Sequence, residues 1–192
     1  MVASSWSAGI SLYGVLALLG IAGRLDWIQV EGLLQNPWCI GITLTLFVVE
    51  LVVDKVAWLD SLWDAAHTVI RPVGGALIGA MAPDQEVPLP ARVAVGALLA
   101  LSSHSAKASA RALINASPEP ASNIVVSLVE DGLVAGLMAL AIAFPAIAFA
   151  LTAVLAVAST VAAVVLFTAS RATWRRIARW RTERSGPAPP VA

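Results

Sequence analysis

Glu50 and Asp54 stand four residues apart, with Lys55 beside the second. On a helix that spacing puts both carboxylates on one face. Asp60, Asp64, His67 and Arg71 follow at steps of four, three and four, and His104, Lys107 and Arg111 at steps of three and four. An acidic ridge and a basic ridge are therefore available on different helices. Glu130 and Asp131 complete the set, with an apolar stretch before them and the uncharged run Gly132–Ser170 after. An ionised carboxylate in an apolar helix costs several kcal/mol unless a base lies near, so the ridges are expected to meet. Two outcomes follow from such a meeting. The cluster lines a polar cavity in which His67 or His104 and the paired acids accept and donate protons. Otherwise it is architecture, with Lys107 or Arg111 neutralising Glu130 or Asp131 and Arg71 neutralising Asp60 or Asp64.

Asn115-Ala116-Ser117-Pro118-Glu119-Pro120 stops one helix, and Ser122 or Asn123 is placed to cap the next. A helix N-terminus there would aim backbone N–H groups at the cluster and suit an anion; the plainer reading is a tight connection. The same stretch matches a glycosylation sequon at Asn115, but the following proline argues against its use.

Several chemistries lack support. No Ser-His-Asp order, zinc-protease motif or nucleotide fingerprint is present, so an enzyme is not the leading expectation. Cys39 is the single cysteine and only two histidines occur, which leaves no disulfide framework and no thiolate or imidazole metal site; no cofactor is expected. Carboxylate-only metal binding by Glu50, Asp54, Glu130 and Asp131 stays open. So does a grip on a lipid phosphate by His104, Lys107 and Arg111.

The elements that carry these residues are apolar helices. Of 192 residues 59% are hydrophobic and 12% charged, against about 25% charged in soluble domains. No charge precedes Arg24, and Met1-Val2-Ala3-Ser4-Ser5-Trp6 lacks the basic start of a secretory signal, so the first run reads as a retained span. The run Gly132–Ser170 is thirty-nine residues. As one helix it would be roughly 58 Å long, nearly twice the ~30 Å hydrocarbon core, so it must turn near Phe144-Pro145.

The reading is an all-α polytopic membrane helix bundle of about six spans, near 5–23, 37–53, 66–82, 91–110, 123–143 and 146–170. Residues 1–170 form one membrane domain. Between spans two and three, Asp54–Asp64 reads as an amphipathic helix: Val56, Leu59, Leu62 and Trp63 make a greasy stripe opposite the ionic one. Gly74, Gly75 and Gly79, with the small residues of span four, allow close backbone approach. Residues 1–170 hold six Lys/Arg against eleven Asp/Glu, and 171–192 hold six Arg against one Glu. That basic stretch, 171–184, interleaves arginine with Trp174, Ile177 and Trp180 and suits an interfacial helix on anionic lipid; nucleic acid is not expected as a partner. Residues 185–192 are expected to be disordered. Pro83-Asp84-Gln85-Glu86 is acidic, whereas Lys55, Lys107, Arg111 and the tail lie opposite, so the positive-inside rule puts both termini in the cytoplasm.

A weak internal repeat relates 5–82 to 91–170. Gly14-Val-Leu-Ala-Leu-Leu resembles Gly96-Ala-Leu-Leu-Ala-Leu, Asn36-Pro37 matches Ser117-Pro118, and Val49-Glu-Leu-Val-Val-Asp54 matches Val126-Ser-Leu-Val-Glu-Asp131. With three spans per half, the second half would be inverted, as in many transporters.

Glu50–Ala76, Ser103–Pro120 and Ser127-Leu-Val-Glu-Asp131 resemble the bacterial membrane family called domain of unknown function 4126, over roughly residues 5–170. One departure is Ala57, where the family pattern usually has proline. The resemblance implies a multi-pass protein of the bacterial inner membrane with an uncharacterised activity. The residues themselves lead to a small transporter or channel for an ion or small anionic solute. The alternative is a non-catalytic membrane scaffold or lipid-binding protein with structural ion pairs, alone or as a homo-oligomer.

Overall fold

The computed structural model describes residues 1–83, 86–114 and 120–184 and, beyond Ala169, the side chains of Arg171, Ala172 and Arg175. The fold is all-α. Its seven helices are α1 (Val2–Ala8), α2 (Leu12–Arg24), α3 (Pro37–Val53), α4 (Ala57–Ala80), α5 (Leu89–Ile114), α6 (Pro120–Ala143) and α7 (Pro145–Arg184). Local chemistry sets several boundaries. Asn36 accepts a hydrogen bond from the Trp38 N–H at 2.9 Å, and Pro37 takes the first helical position of α3. Asp26, at φ 58°, ends α2, where the Trp27 N–H bonds back to Ala22 O at 2.9 Å. The turn expected at Phe144-Pro145 is present, with α7 starting on the proline.

The two ends of the bundle are marked by contacts. Met1, Ile28, Leu34, Met81 and Ile142 line one cavity of about 290 Å³, which gathers the N-terminus, the loop after α2 and the C-terminal ends of α4 and α6. At the opposite end Arg111 reaches the carbonyl of Asp54 and the side chain of Asn123, which joins the ends of α3 and α5 to the start of α6. Thus α3, α5 and α7 run toward the Asp54 end, and α4 and α6 run back. For α7 the course is fixed by Ser159 beside Trp6 and Ser102, then Phe167 in a groove with Thr68 and His104.

The first apolar run is not one helix but two. Ser5 meets Gly75, the chain turns at Gly9–Ser11, and Leu19 returns to the cavity that holds Met1. α1 and α2 are the arms of a helical hairpin entering from the Met81 end. The expected continuous span 5–23 is corrected accordingly, because the run's length counts two short arms as one helix. Gly9 permits the turn's close seat: a Cβ there would overlap Ser103 Oγ and the carbonyl of Ala100. The same hairpin puts Met1 and the later part of α7 toward opposite ends of the bundle.

The stretch read as a separate amphipathic helix is the first half of α4, which continues through Pro72. Its stripes are reversed relative to a soluble helix. Asp60, Asp64, His67 and Arg71 are buried, while Trp58 and Leu62 are exposed. The segment 171–184 continues α7 without a break. α4 and α5 cross at glycine: a Cβ on Gly75 would lie 2.5 Å from both the Gly96 carbonyl and Ala100 Cβ. That is the close approach expected from the small residues. Two helical stretches, Ala121–Ala143 and Pro145–Ala169, are long and apolar enough to cross a membrane, with 22% and 11% of their most apolar windows buried. Most of that apolar surface faces outward. Asp84, the Ser117-Pro118 connection and the tail 185–192, for which the sequence carries expectations, lie outside the described residues.

Candidate functional site

Three buried cations organise the interior: Arg71 on α4 and Lys107 and Arg111 on α5. Arg71 Nη2 donates to Glu50 Oε1 at 2.8 Å, and Nη1 donates to Asp64 Oδ1 at 2.9 Å, to His104 Nδ1 at 3.0 Å and to the Gly9 carbonyl at 3.4 Å. A guanidinium only donates, so His104 Nδ1 accepts and its ring proton sits on Nε2, which donates to Thr68 Oγ1 at 3.2 Å. Ser11, at the hairpin turn, donates to the other Glu50 oxygen at 2.7 Å.

Lys107 Nζ lies 2.7 Å from Asp54 Oδ2 and 3.5 Å from Glu130 Oε2, and it donates to the Ile10 carbonyl at 3.2 Å. Arg111 grips Glu130 in a fork, Nη2 to Oε2 at 2.5 Å and Nε to Oε1 at 3.3 Å. Its Nη1 bonds Asn123 Oδ1 at 2.5 Å and the Asp54 carbonyl at 2.9 Å, and it stands 3.8 Å from Asp60 Oδ2. Asn123 Nδ2 donates to the same carbonyl at 3.0 Å. The carbonyl of Asp54, the residue that caps the end of α3, is thereby satisfied by side chains from α5 and α6.

The hairpin turn is held by this set. Arg71 takes the Gly9 carbonyl, Lys107 the Ile10 carbonyl, and Ser103 Oγ the Trp6 carbonyl at 2.5 Å. Irregular backbone deep in an apolar bundle needs such partners, because its carbonyls lack the bonds a continuous helix would give them. Beside it, His67 Nδ1 donates to the Trp63 carbonyl at 2.8 Å, and Nε2 accepts from the Tyr13 hydroxyl at 3.0 Å. Trp63 stacks on the His67 ring at 4.4 Å between centroids.

The structure brings together ten of the residues singled out in the sequence: Glu50, Asp54, Asp60, Asp64, His67, Arg71, His104, Lys107, Arg111 and Glu130. Lys55 is turned away and donates to Leu51 O at 2.6 Å. Asp131 shares no ion pair among the described residues. It lines a separate cavity of about 160 Å³ with Ser11, Gly14 and Phe47, and its Oδ2 is buried with no bonding partner. Asn115 lies outside the described residues. Of the two expected caps, Asn123 is spent on Arg111, three residues inside a helix that starts at Pro120.

Sequence reasoning did not reach the hairpin carbonyls, Ser11, Tyr13 or Thr68. Gly9 before an otherwise regular apolar run was the one local signal. Among the described residues no three His, Cys, Asp or Glu side chains converge as metal ligands. Seven contacts between acids and bases are made here by three cations and five carboxylates, an excess of acid.

The family model described as domain of unknown function (DUF4126) matches residues 1–167. No curated protein and no solved structure matches the chain.

Proposed function

Since the chain belongs to the DUF4126 family, whose description assigns no activity, we propose from its residues that it is a small membrane transporter or channel for an ion or small anionic solute. The observation that carries this reading is the docking of a broken helical hairpin, turn Gly9–Ser11, on the buried cations Arg71 and Lys107. Discontinuous helices whose turns meet ionisable side chains inside the bundle are a recurrent way to build a translocation site. An enzyme is not part of the proposal.

A membrane setting is supported by where the apolar surface lies. Val154, Val157, Val161 and Val164 along α7 are each 56–66% exposed, while Arg71 and Arg111 are 0% and 1% exposed. Water would reverse that order; hydrocarbon rewards it. The membrane of this proposal is the bacterial inner membrane that the resemblance implies. The inverted 3+3 repeat is supported by direction: α2, α3 and α4 each run opposite to α5, α6 and α7 in turn. The Arg-rich end of α7, with Lys55 and Arg111 at the same end, faces the cytoplasm by the positive-inside rule, and its arginines meet anionic lipid. Arg171 also lies over the Phe167 ring, 5.7 Å from its centroid.

The test is flux of chloride, phosphate, potassium and protons into proteoliposomes holding the full chain. Flux above that of empty liposomes, lost in Lys107→Gln and Arg71→Gln variants that remain folded, supports the proposal. No flux of any of them removes it.

One observation favours a second reading, a non-conducting scaffold. The cation side chains are 0–2% exposed and already paired with carboxylates. A scaffold tolerates neutralisation of both partners of a pair with assembly into homo-oligomers and lipid binding intact.

A further inference from the structure

We propose that the ion moved by this chain is the proton, taken up by Asp131 in the cavity between α2, α3 and α6 and relayed through Ser11 to Glu50. The inference rests on the transport reading above and names its substrate.

Asp131 is the acid of the candidate set that makes no ion pair among the described residues, and its Oδ2 is buried without a bonding partner. It and Ser11 supply the polar groups of an otherwise apolar cavity of about 160 Å³. The cavity is large enough to admit a water between the Asp131 carboxylate and the Ser11 hydroxyl, the two polar groups that could bond it. On the far side Ser11 Oγ already donates to Glu50 Oε2 at 2.7 Å. Glu50 stands one helical turn before Asp54, at the Asp54 end of α3. Toward the other end, the cavity shares Ile21 and Leu44 with a groove that reaches Arg24 and Pro37. Asp131 therefore sits between an approach from one end of the bundle and a hydrogen-bonded acid leading to the other.

The surrounding charge selects the species. The charges close enough to act on Asp131 are Glu50, Asp54 and Lys55 from α3 and the turn after it and Lys107 from α5; α2 presents Ser11 and no charge. The ion-paired set beyond Ser11 holds five carboxylates and three cations, a net negative charge that attracts cations and repels anions. Among the described residues no three His, Cys, Asp or Glu side chains converge on one cation. A proton needs one carboxylate and a relay.

The transfer balances atom by atom. A hydronium ion arriving through the groove gives its proton to the Asp131 carboxylate and is left as water. From there the proton passes by way of a water to Ser11 Oγ as the Ser11 hydroxyl proton moves to Glu50 Oε2, and rotation of the Ser11 hydroxyl restores the relay. Glu50 returns to carboxylate by giving the proton to Asp54, one helical turn on, whose Oδ1 has no bonding partner, and Asp54 gives it to water at that end of the bundle.

The experiment uses the full chain in liposomes containing a trapped pH dye, with an inside-negative potassium diffusion potential. Wild type should acidify the lumen faster than empty liposomes. Asp131→Asn should fall to the empty-liposome rate, Ser11→Ala should be slower than wild type, and Asp131→Glu should restore uptake, each variant being monodisperse with a wild-type unfolding temperature. Folded Asp131→Asn with wild-type uptake overturns the inference. Chloride or potassium flux in parallel vesicles without proton uptake overturns it while the transport reading stands. No flux of any ion overturns both.

Discussion

Arg71 Nη1 donates to the carbonyl of Gly9 at 3.4 Å while the same guanidinium holds Glu50 and Asp64 at 2.8 and 2.9 Å. One side chain on α4 thus fixes α3 through Glu50 and the hairpin turn through Gly9. Arg71→Met should cost about 3–5 kcal/mol, because two buried carboxylates lose their counter-ion. Thermal unfolding in detergent measures it. Adding Glu50→Gln and Asp64→Asn to that variant should recover much of the loss; no recovery would mean that the hairpin contact, not the charge, dominates.

Arg111 and Glu130 form a two-pronged pair, and Lys at 111 offers no fork. A double-mutant cycle on Arg111→Lys and Glu130→Gln should give a coupling of roughly 0.5–3 kcal/mol. Additive effects would show that the pair is not a unit.

The α4–α5 crossing tolerates no side chain at Gly96, where a Cβ would overlap the Gly75 carbonyl, whereas a Cβ at Gly132 meets nothing within 4 Å. Gly96→Leu should destabilise by at least ~1–3 kcal/mol through overpacking. Gly132→Ala, mid-helix, should stabilise by about 0.5–1 kcal/mol. Equal unfolding temperatures for the two variants would contradict the crossing.

If α7 faces hydrocarbon, a nitroxide at Val157→Cys, in a Cys39→Ala background, should relax with oxygen and resist a water-soluble reagent. Protection from both would place α7 in a protein interface instead.

The hairpin puts Met1 and the later part of α7 toward opposite ends of the bundle. Tags on the N-terminus and the C-terminus should be reached by an impermeant reagent from opposite faces of sealed vesicles. Reaction from the same face would restore a first run that crosses.

The sequence by itself determined that the chain is helical, where most helices lie and which ionisable residues share a helix face. Pro37, Pro145 and Asn36 act through their neighbours in the chain, and the i, i+4 spacing of Glu50 with Asp54 and of Lys107 with Arg111 sets a shared face before any packing. Apolar length was less informative. A run of the right length for one span, 5–23, holds two arms, and a segment patterned like a surface helix, 57–64, turns its charges inward. Periodicity reports that a helix has two faces but not which solvent each face meets.

Only the tertiary structure decided the pairing. Glu130 and Asp131 are adjacent and chemically alike, yet Arg111 takes the first and leaves the second to an apolar cavity. Successive helical residues point about 100° apart, so one side chain reaches α5 and its neighbour cannot. The hairpin turn likewise exists because Arg71, Lys107 and Ser103, sixty to a hundred residues away in the chain, supply donors to carbonyls that a continuous helix would have satisfied itself.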